Sequence, residues 1–105
     1  MIKKINIAIV GLGNIGSYFY KTLEKNKKQI FKKTGIMPVV KYISAKNMRK
    51  KRKIKILKSK WFNNPIALTK KKDVNIIVEL VGGSEGIAKK LVFSALKNKK
   101  NVITA

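Results

Sequence analysis

Apolar positions along this chain fall into runs of two kinds. Ile5-Asn6-Ile7-Ala8-Ile9-Val10 is apolar at five of six positions, which suits a parallel strand buried on both faces better than a half-exposed one. Residues 39–44, 74–81 and 102–105 repeat that β-branched character and are read as further strands. Between these runs the period changes. Tyr18, Phe19, Thr22 and Leu23 fall at helical spacings within residues 17–26, with Lys21, Glu24 and Lys25 on the outer side, so a helix is expected there. Residues 27–33 are polar except for Ile30 and Phe31, a last helical turn. Thr34-Gly35 supplies the stop, and Pro38 marks that no helix continues. Ile87, Ala88, Leu91, Val92, Ala95 and Leu96 give a second amphipathic helix with Lys89, Lys90 and Lys97 outside, and Ser84 is its expected N-cap. Weaker signals predict a short extra strand at 54–57, a loop at 58–64 anchored by Trp61 and Phe62, and a short helix over 65–71 begun by Pro65 and capped by Asn64. Strands alternating with helices imply an α/β domain with a parallel sheet.

The first strand breaks directly into Gly11-Leu12-Gly13-Asn14-Ile15-Gly16, a G-x-G-x-x-G sequence. Three glycines at that spacing are a weak signal alone. A strand before and a helical pattern after are the context that gives them weight. Gly11 is expected to permit the tight turn, Gly13 to let a pyrophosphate approach the backbone, and Gly16 to let the helix pack closely against the sheet. A helix starting near Asn14 would offer N–H groups and the positive end of its dipole to phosphates. The fold class expected is therefore a Rossmann-like, doubly wound, mostly parallel sheet carrying a dinucleotide site.

Composition narrows the chemistry. With 105 residues there is room for one domain and one core, not for a cofactor domain plus a substrate domain. Because the sequence stops on the apolar run Asn101-Val102-Ile103-Thr104-Ala105, a fragment of a longer protein is expected. There is no cysteine and no histidine, which removes disulfides, thiolate nucleophiles, imidazole acid–base chemistry and the usual zinc sites. No metal is expected. No apolar run approaches the roughly 20 residues of a membrane span, and a cytoplasmic protein is expected. The formal charge of +22 comes from 26 basic and 4 acidic residues. Only Arg49 and Arg52 are arginine, whereas specific phosphate and base recognition favours guanidinium. The lysines run along the whole chain, so the excess reads as compositional bias and no specific nucleic-acid partner is expected.

The end of the second strand should lie beside the glycine turn, where a dinucleotide's adenosine ribose would sit. An NAD-selective site places an acid there. This sequence continues instead as Ala45-Lys46-Asn47-Met48-Arg49-Lys50-Lys51-Arg52-Lys53, which favours a 2′-phosphate and hence NADP over NAD. The third strand, residues 74–81, ends in Gly82-Gly83-Ser84-Glu85, a second phosphate- or ribose-facing corner. Glu79 within it is an acid in an apolar strand. It is read as structural, held by backbone N–H groups or a lysine, because a buried carboxylate without partners is costly.

Taken together and in order, the glycine turn through Ser17, Thr34-Gly35 with Ser44-Ala45-Lys46, residues 77–85, and residues 101–105 resemble homoserine dehydrogenase. The match covers the whole chain but only the cofactor half of such an enzyme. The resemblance implies NAD(P)-dependent interconversion of L-aspartate 4-semialdehyde and L-homoserine, in threonine and methionine synthesis, by a homodimer. By analogy Leu12, Gly13, Asn14 and Ile15 bind the pyrophosphate, Gly11 and Gly16 count with them as cofactor-binding, and Lys46 and Arg49 lie near the adenosine phosphate. Gly83 and Ser84 border the nicotinamide ribose, and Thr104 and Ala105 the ring. The family often has Arg at the position of Lys46 and commonly Thr at that of Ser84. The family's catalytic lysines and substrate-orienting acid would lie beyond Ala105, so no catalytic residue is assigned and the fragment alone is expected to be inactive. A non-catalytic dinucleotide-binding module, another amino-acid dehydrogenase such as aspartate dehydrogenase, and a lysine-rich nucleic-acid binder are the alternatives.

Overall fold

The structure is a computed structural model, and it describes residues 3–45, 55–81 and 86–104. The elements are β1 (Lys3–Val10), α1 (Asn14–Thr34), β2 (Ile36–Ser44), a 3₁₀ turn (Lys58–Lys60), α2 (Pro65–Leu68), β3 (Ile76–Glu79), α3 (Ile87–Lys97) and β4 (Asn101–Thr104). The strands form one parallel sheet in the order β2-β1-β3-β4.

Both faces of the sheet are covered, which is why β1 could be apolar at almost every position. On one face Ile7, Ile9, Val40, Ile43 and Val78 pack with Tyr20, Phe19 and Leu23 of α1. On the other, Ala8, Val10 and Ile77 pack with Leu68 of α2 and Leu91 and Ala95 of α3. Ala8, Ile9, Ile43, Ile77, Leu68, Leu91 and Ala95 are fully excluded from solvent. At about 25 cal/mol per Å² this apolar burial is the main favourable term for the domain.

Local signals account for the ends of α1. Gly35 closes it in the left-handed conformation (φ 75°), and its N–H donates to the Phe31 carbonyl at 2.8 Å. Lys32 and Lys33 lie in the last turn, where the dipole favours cations. Asn64 caps α2 as expected, its Oδ1 accepting from the Ile66 and Ala67 N–H groups at 3.0 and 3.3 Å. That helix is shorter than the sequence suggested and ends at Leu68. The Thr69 hydroxyl turns inward, donating to the Ile66 carbonyl and pairing with the Ser94 hydroxyl, both at 2.7 Å.

Three further differences have physical causes. β2 begins at Ile36 rather than residue 39 and so contains Pro38. A proline is tolerated because β2 is the outer strand of the described sheet. No strand forms at 55–57; instead Trp61 makes a parallel bridge with Ile43, and the Phe62 N–H donates to the Ile43 carbonyl at 2.9 Å. Trp61 packs on the α1 face and Phe62 on the α3 face, which is the anchoring expected of them. Finally, the ladder shifts between Ile7, opposite Val40, and Ala8, opposite Tyr42. Lys41 is the extra residue, a bulge that reverses the alternation. Val40 and Ile43 thereby face α1, while Tyr42 faces the other layer.

Tyr42 then completes a polar corner. Its hydroxyl donates to Asp73 Oδ2 at 2.7 Å, and Lys41 Nζ lies 3.1 Å from the same oxygen. Lys71 Nζ sits 5.0 Å from the Tyr42 ring centroid and 5.1 Å from that of Phe62. The Tyr42 hydrogen bond, with help from Lys41, holds the Asp73 carboxyl below its usual range despite some desolvation. The same bond, with desolvation and the Asp73 charge, raises the Tyr42 phenol.

Candidate functional site

All four strands run the same way, so their C-terminal ends share one edge of the sheet. From β1 the chain crosses by α1 to β2 on one side, whereas β3 lies on the other. The C-terminal end of β1, between β2 and β3, is thus the topological switch point where such sheets open a crevice. The glycine turn sits there.

Its three glycines do three different things. Gly11 has φ 99°, and a Cβ on it would lie 2.6 Å from the Leu80 carbonyl carbon and oxygen and 2.7 Å from the Val81 nitrogen. No side chain fits between the turn and the end of β3. Its N–H donates to the Ser44 carbonyl at 2.8 Å, tying the end of β2 to the same point. At Gly16 a Cβ would lie 2.2 Å from the Gly11 carbonyl oxygen. What that glycine permits is close seating of α1 on its own entry turn, rather than on the strands as the sequence reading had it. Gly13 differs. A Cβ there meets nothing within 4 Å, and its φ of −78° is open to any residue. Among the described residues nothing gives a steric need for glycine at this position, and the space beside it is open.

The entry to α1 matches that opening. Gly13 is the N-cap, no side chain caps the helix, and its first turn holds no acid. The first helical bond is from the Ser17 N–H to the Gly13 carbonyl at 2.9 Å, which leaves the N–H groups of the first turn without an intrahelical acceptor. Asn14 and Ile15 are exposed, the latter at 65%. Leu12 is not: its side chain is 5% exposed and belongs to the α1-side core. Any role of Leu12 toward a ligand is confined to its backbone.

The second corner begins where β3 ends. The Leu80 N–H donates to the Val10 carbonyl at 2.8 Å, and Glu79 Oε2 accepts from the Val81 N–H at 2.7 Å. Glu79 is 5% exposed; of the two partners expected, it uses a backbone N–H. Val10, Glu79 and Thr104 stand in one lateral row of the sheet. Thr104 is exposed at the end of β4. Lys46, Arg49, Gly83, Ser84 and Ala105 lie outside the described residues. The N-cap of α3 is Gly86 rather than Ser84. A shallow depression of about 530 Å³ among Lys25, Lys28, Gln29, Lys32 and Lys33 lies on the outer side of α1 and shares no residue with the glycine turn.

Sequence reasoning did not find the packing of Leu80 and Val81 against Gly11. It depends on β3 being the neighbour of β1, which no local pattern encodes. Asn75 was missed for the same reason: its Oδ1 accepts from the Asn6 N–H at 2.7 Å, while its own N–H donates to the Asn6 carbonyl at 2.9 Å.

A parallel, doubly wound sheet with a glycine turn at its switch point and an uncapped helix N-terminus beside it defines a Rossmann-type α/β domain of the dinucleotide-binding class. Comparison with known proteins narrows this. The family model for the NAD-binding domain of homoserine dehydrogenase matches residues 11–105, and the chain belongs to that family. It is similar to the homoserine dehydrogenases of Methylobacillus glycogenes (29% identity, 99% of this chain, 25% of the relative) and Neisseria gonorrhoeae (33%, 99% and 23%). Among solved structures, a homoserine dehydrogenase from S. aureus superposes with a TM-score of 0.90 at 37% identity, covering 100% of this chain and 26% of the other. The chain therefore spans about a quarter of the length of the relatives it matches. Among the described residues, no helix is long and apolar enough to cross a membrane.

Proposed function

We propose that this chain is the cofactor-binding part of a homoserine dehydrogenase, which together with a substrate and dimerisation region interconverts L-aspartate 4-semialdehyde and L-homoserine. The observation that carries the reading is Gly13: a glycine that none of the described residues requires, at the uncapped entry of a helix, on the sheet edge where ligands bind. The bare α carbon lets a pyrophosphate approach, and the first-turn N–H groups of Asn14, Ile15 and Gly16 orient it. Gly11 and Gly16 hold the turn in the shape this requires. When bound, the nicotinamide supplies or accepts the hydride. Lys46 and Arg49 take the adenosine phosphate, Gly83 and Ser84 the nicotinamide ribose, and Thr104 and Ala105 the ring, as the family resemblance implies. The chain's own role is binding and orientation; acid–base and substrate-holding groups belong to the remaining region.

The cofactor proposed is NADP, with NAD as the weaker ligand, because residues 45–53 contain five lysines and arginines after position 46 and no acid, a composition that attracts a 2′-phosphate. The complete enzyme is proposed to be a cytoplasmic homodimer with no specific nucleic-acid partner. Calorimetric titration of the chain with NADPH and NADH tests the reading. One saturable site, tighter for NADPH by a margin that shrinks as salt rises, is expected. No heat from either nucleotide at millimolar concentration, or a salt-sensitive DNA shift unaffected by NADPH, would refute it.

A further inference from the structure

Glu79 is a buried carboxylate that the proposed chemistry does not use. Its Oε2 turns forward along its own chain to accept the Val81 N–H at 2.7 Å. The same Val81 nitrogen would lie 2.7 Å from a Cβ on Gly11, with the Leu80 carbonyl at 2.6 Å. The peptide joining Leu80 and Val81 is therefore pressed against the first glycine turn on one side and held by Glu79 on the other. β3 ends at Glu79, and the N–H of Val81 just beyond it is bonded to the Glu79 side chain. Beyond it the chain enters Gly82-Gly83-Ser84.

We infer that Glu79 is a positioning residue: by fixing the Leu80–Val81 peptide at the end of β3 against Gly11, it holds the glycine turn in the shape that receives a nucleotide. This rests on the reading that the glycine turn serves a dinucleotide. A ligand seated on the turn binds only if the turn keeps that shape, and a small misplacement costs affinity without unfolding the sheet. A carboxylate suits this role because a charged acceptor makes a shorter and stronger bond to a backbone N–H than a neutral one. Its burial at 5% exposure is a cost to stability, which a position serving only the core would avoid with an apolar residue.

Two substitutions separate positioning from packing. Glu79→Gln keeps an oxygen acceptor for Val81 and removes the charge; Glu79→Met fills similar volume and removes the acceptor. We expect E79Q to bind NADPH within about threefold of wild type, because a neutral acceptor retains much of such a bond. E79M should bind roughly tenfold more weakly while unfolding at an equal or higher denaturant concentration, since apolar replacement of a buried charge is often neutral or stabilising. Val74→Ala, a core change at the other end of β3, is the control: it should lower stability and leave affinity unchanged. Affinity of E79M equal to wild type, equal losses in E79Q and E79M, or a loss in V74A matching that of E79M would each overturn the inference. Amide exchange gives a readout independent of nucleotide. Protection of the Val81 N–H should survive in E79Q and collapse in E79M, with shifts at Gly11; unchanged protection in E79M overturns the positioning role. A wild-type chain that binds neither nucleotide refutes the dinucleotide reading, and the exchange result then decides the role of Glu79 in setting the turn.

Discussion

The glycine turn makes a sharp quantitative contrast available, because Gly11→Ala and Gly13→Ala add the same methyl group two residues apart. At Gly11 the new Cβ would sit 2.6 Å from the Leu80 carbonyl and 2.7 Å from the Val81 nitrogen, at φ 99°. These neighbours are backbone just past the end of β3, tied to β1 through the Leu80 N–H, so they cannot swing aside as a side chain would. The strained φ costs about 1–3 kcal/mol, and overpacking costs about 1–3 kcal/mol more. If β3 retreats to relieve the overlap, the bond from the Leu80 N–H to the Val10 carbonyl, now 2.8 Å, is lost. That leaves a half-buried donor unpaired, at up to about 1–3 kcal/mol. A domain of this size has only about 5–15 kcal/mol in all, so G11A should lose a large part of its stability. At Gly13 the methyl group meets nothing within 4 Å and φ is −78°, so G13A should stay within about 0.5 kcal/mol of wild type. Urea denaturation followed by far-UV circular dichroism measures both. Equal midpoints for G11A and G13A would refute the steric reading of the turn, as would a G13A loss of several kcal/mol.

Other positions give independent checks. Gly16→Ala should also destabilise, because its Cβ would lie 2.2 Å from the Gly11 carbonyl oxygen; thermal melting would show it well below G13A. Leu91→Ala removes a fully excluded side chain of α3 and should cost about 2–5 kcal/mol in the same denaturation assay. Asn64→Ala removes the acceptor for two N–H groups at the start of α2 and should cost about 1 kcal/mol. Tyr42→Phe has a signature in pH. Its hydroxyl lowers the Asp73 carboxyl from 3.8, so that contribution is present above 3.8 and lost as pH falls through the lower folded value. The Tyr42 phenol is raised from 10.0, so its contribution is present below 10.0 and lost as pH rises through the higher folded value. Wild type should therefore exceed Y42F at neutral pH and converge on it at both extremes; a constant difference across the range would refute the Tyr42–Asp73 bond as its source.

What could be read in advance was whatever short-range chemistry decides. The β-branched runs became β1 to β4, Gly35 stopped α1 in a left-handed cap, and Asn64-Pro65 opened α2. What could not be read depends on which strands are neighbours. The bulge at Lys41 exists because the ladder with β1 shifts by one residue between Ile7 and Ala8, and nothing in Val39-Val40-Lys41-Tyr42 announces it. Gly11 was assigned a tight turn, but its tightest constraint comes from Leu80 and Val81, some seventy residues further on. Leu12 was grouped with the pyrophosphate-binding residues although its side chain belongs to the core, because the motif specifies backbone and leaves the side chain to the fold.

The account turns on the open side of Gly13, and NADPH titration of the G13A protein against wild type tests it most directly. Wild type should bind at one site, and G13A, folded to the same degree by circular dichroism, should bind at least about tenfold more weakly, because the methyl group occupies the approach of the pyrophosphate. Equal affinity in the two proteins, or no binding by wild type, would contradict it.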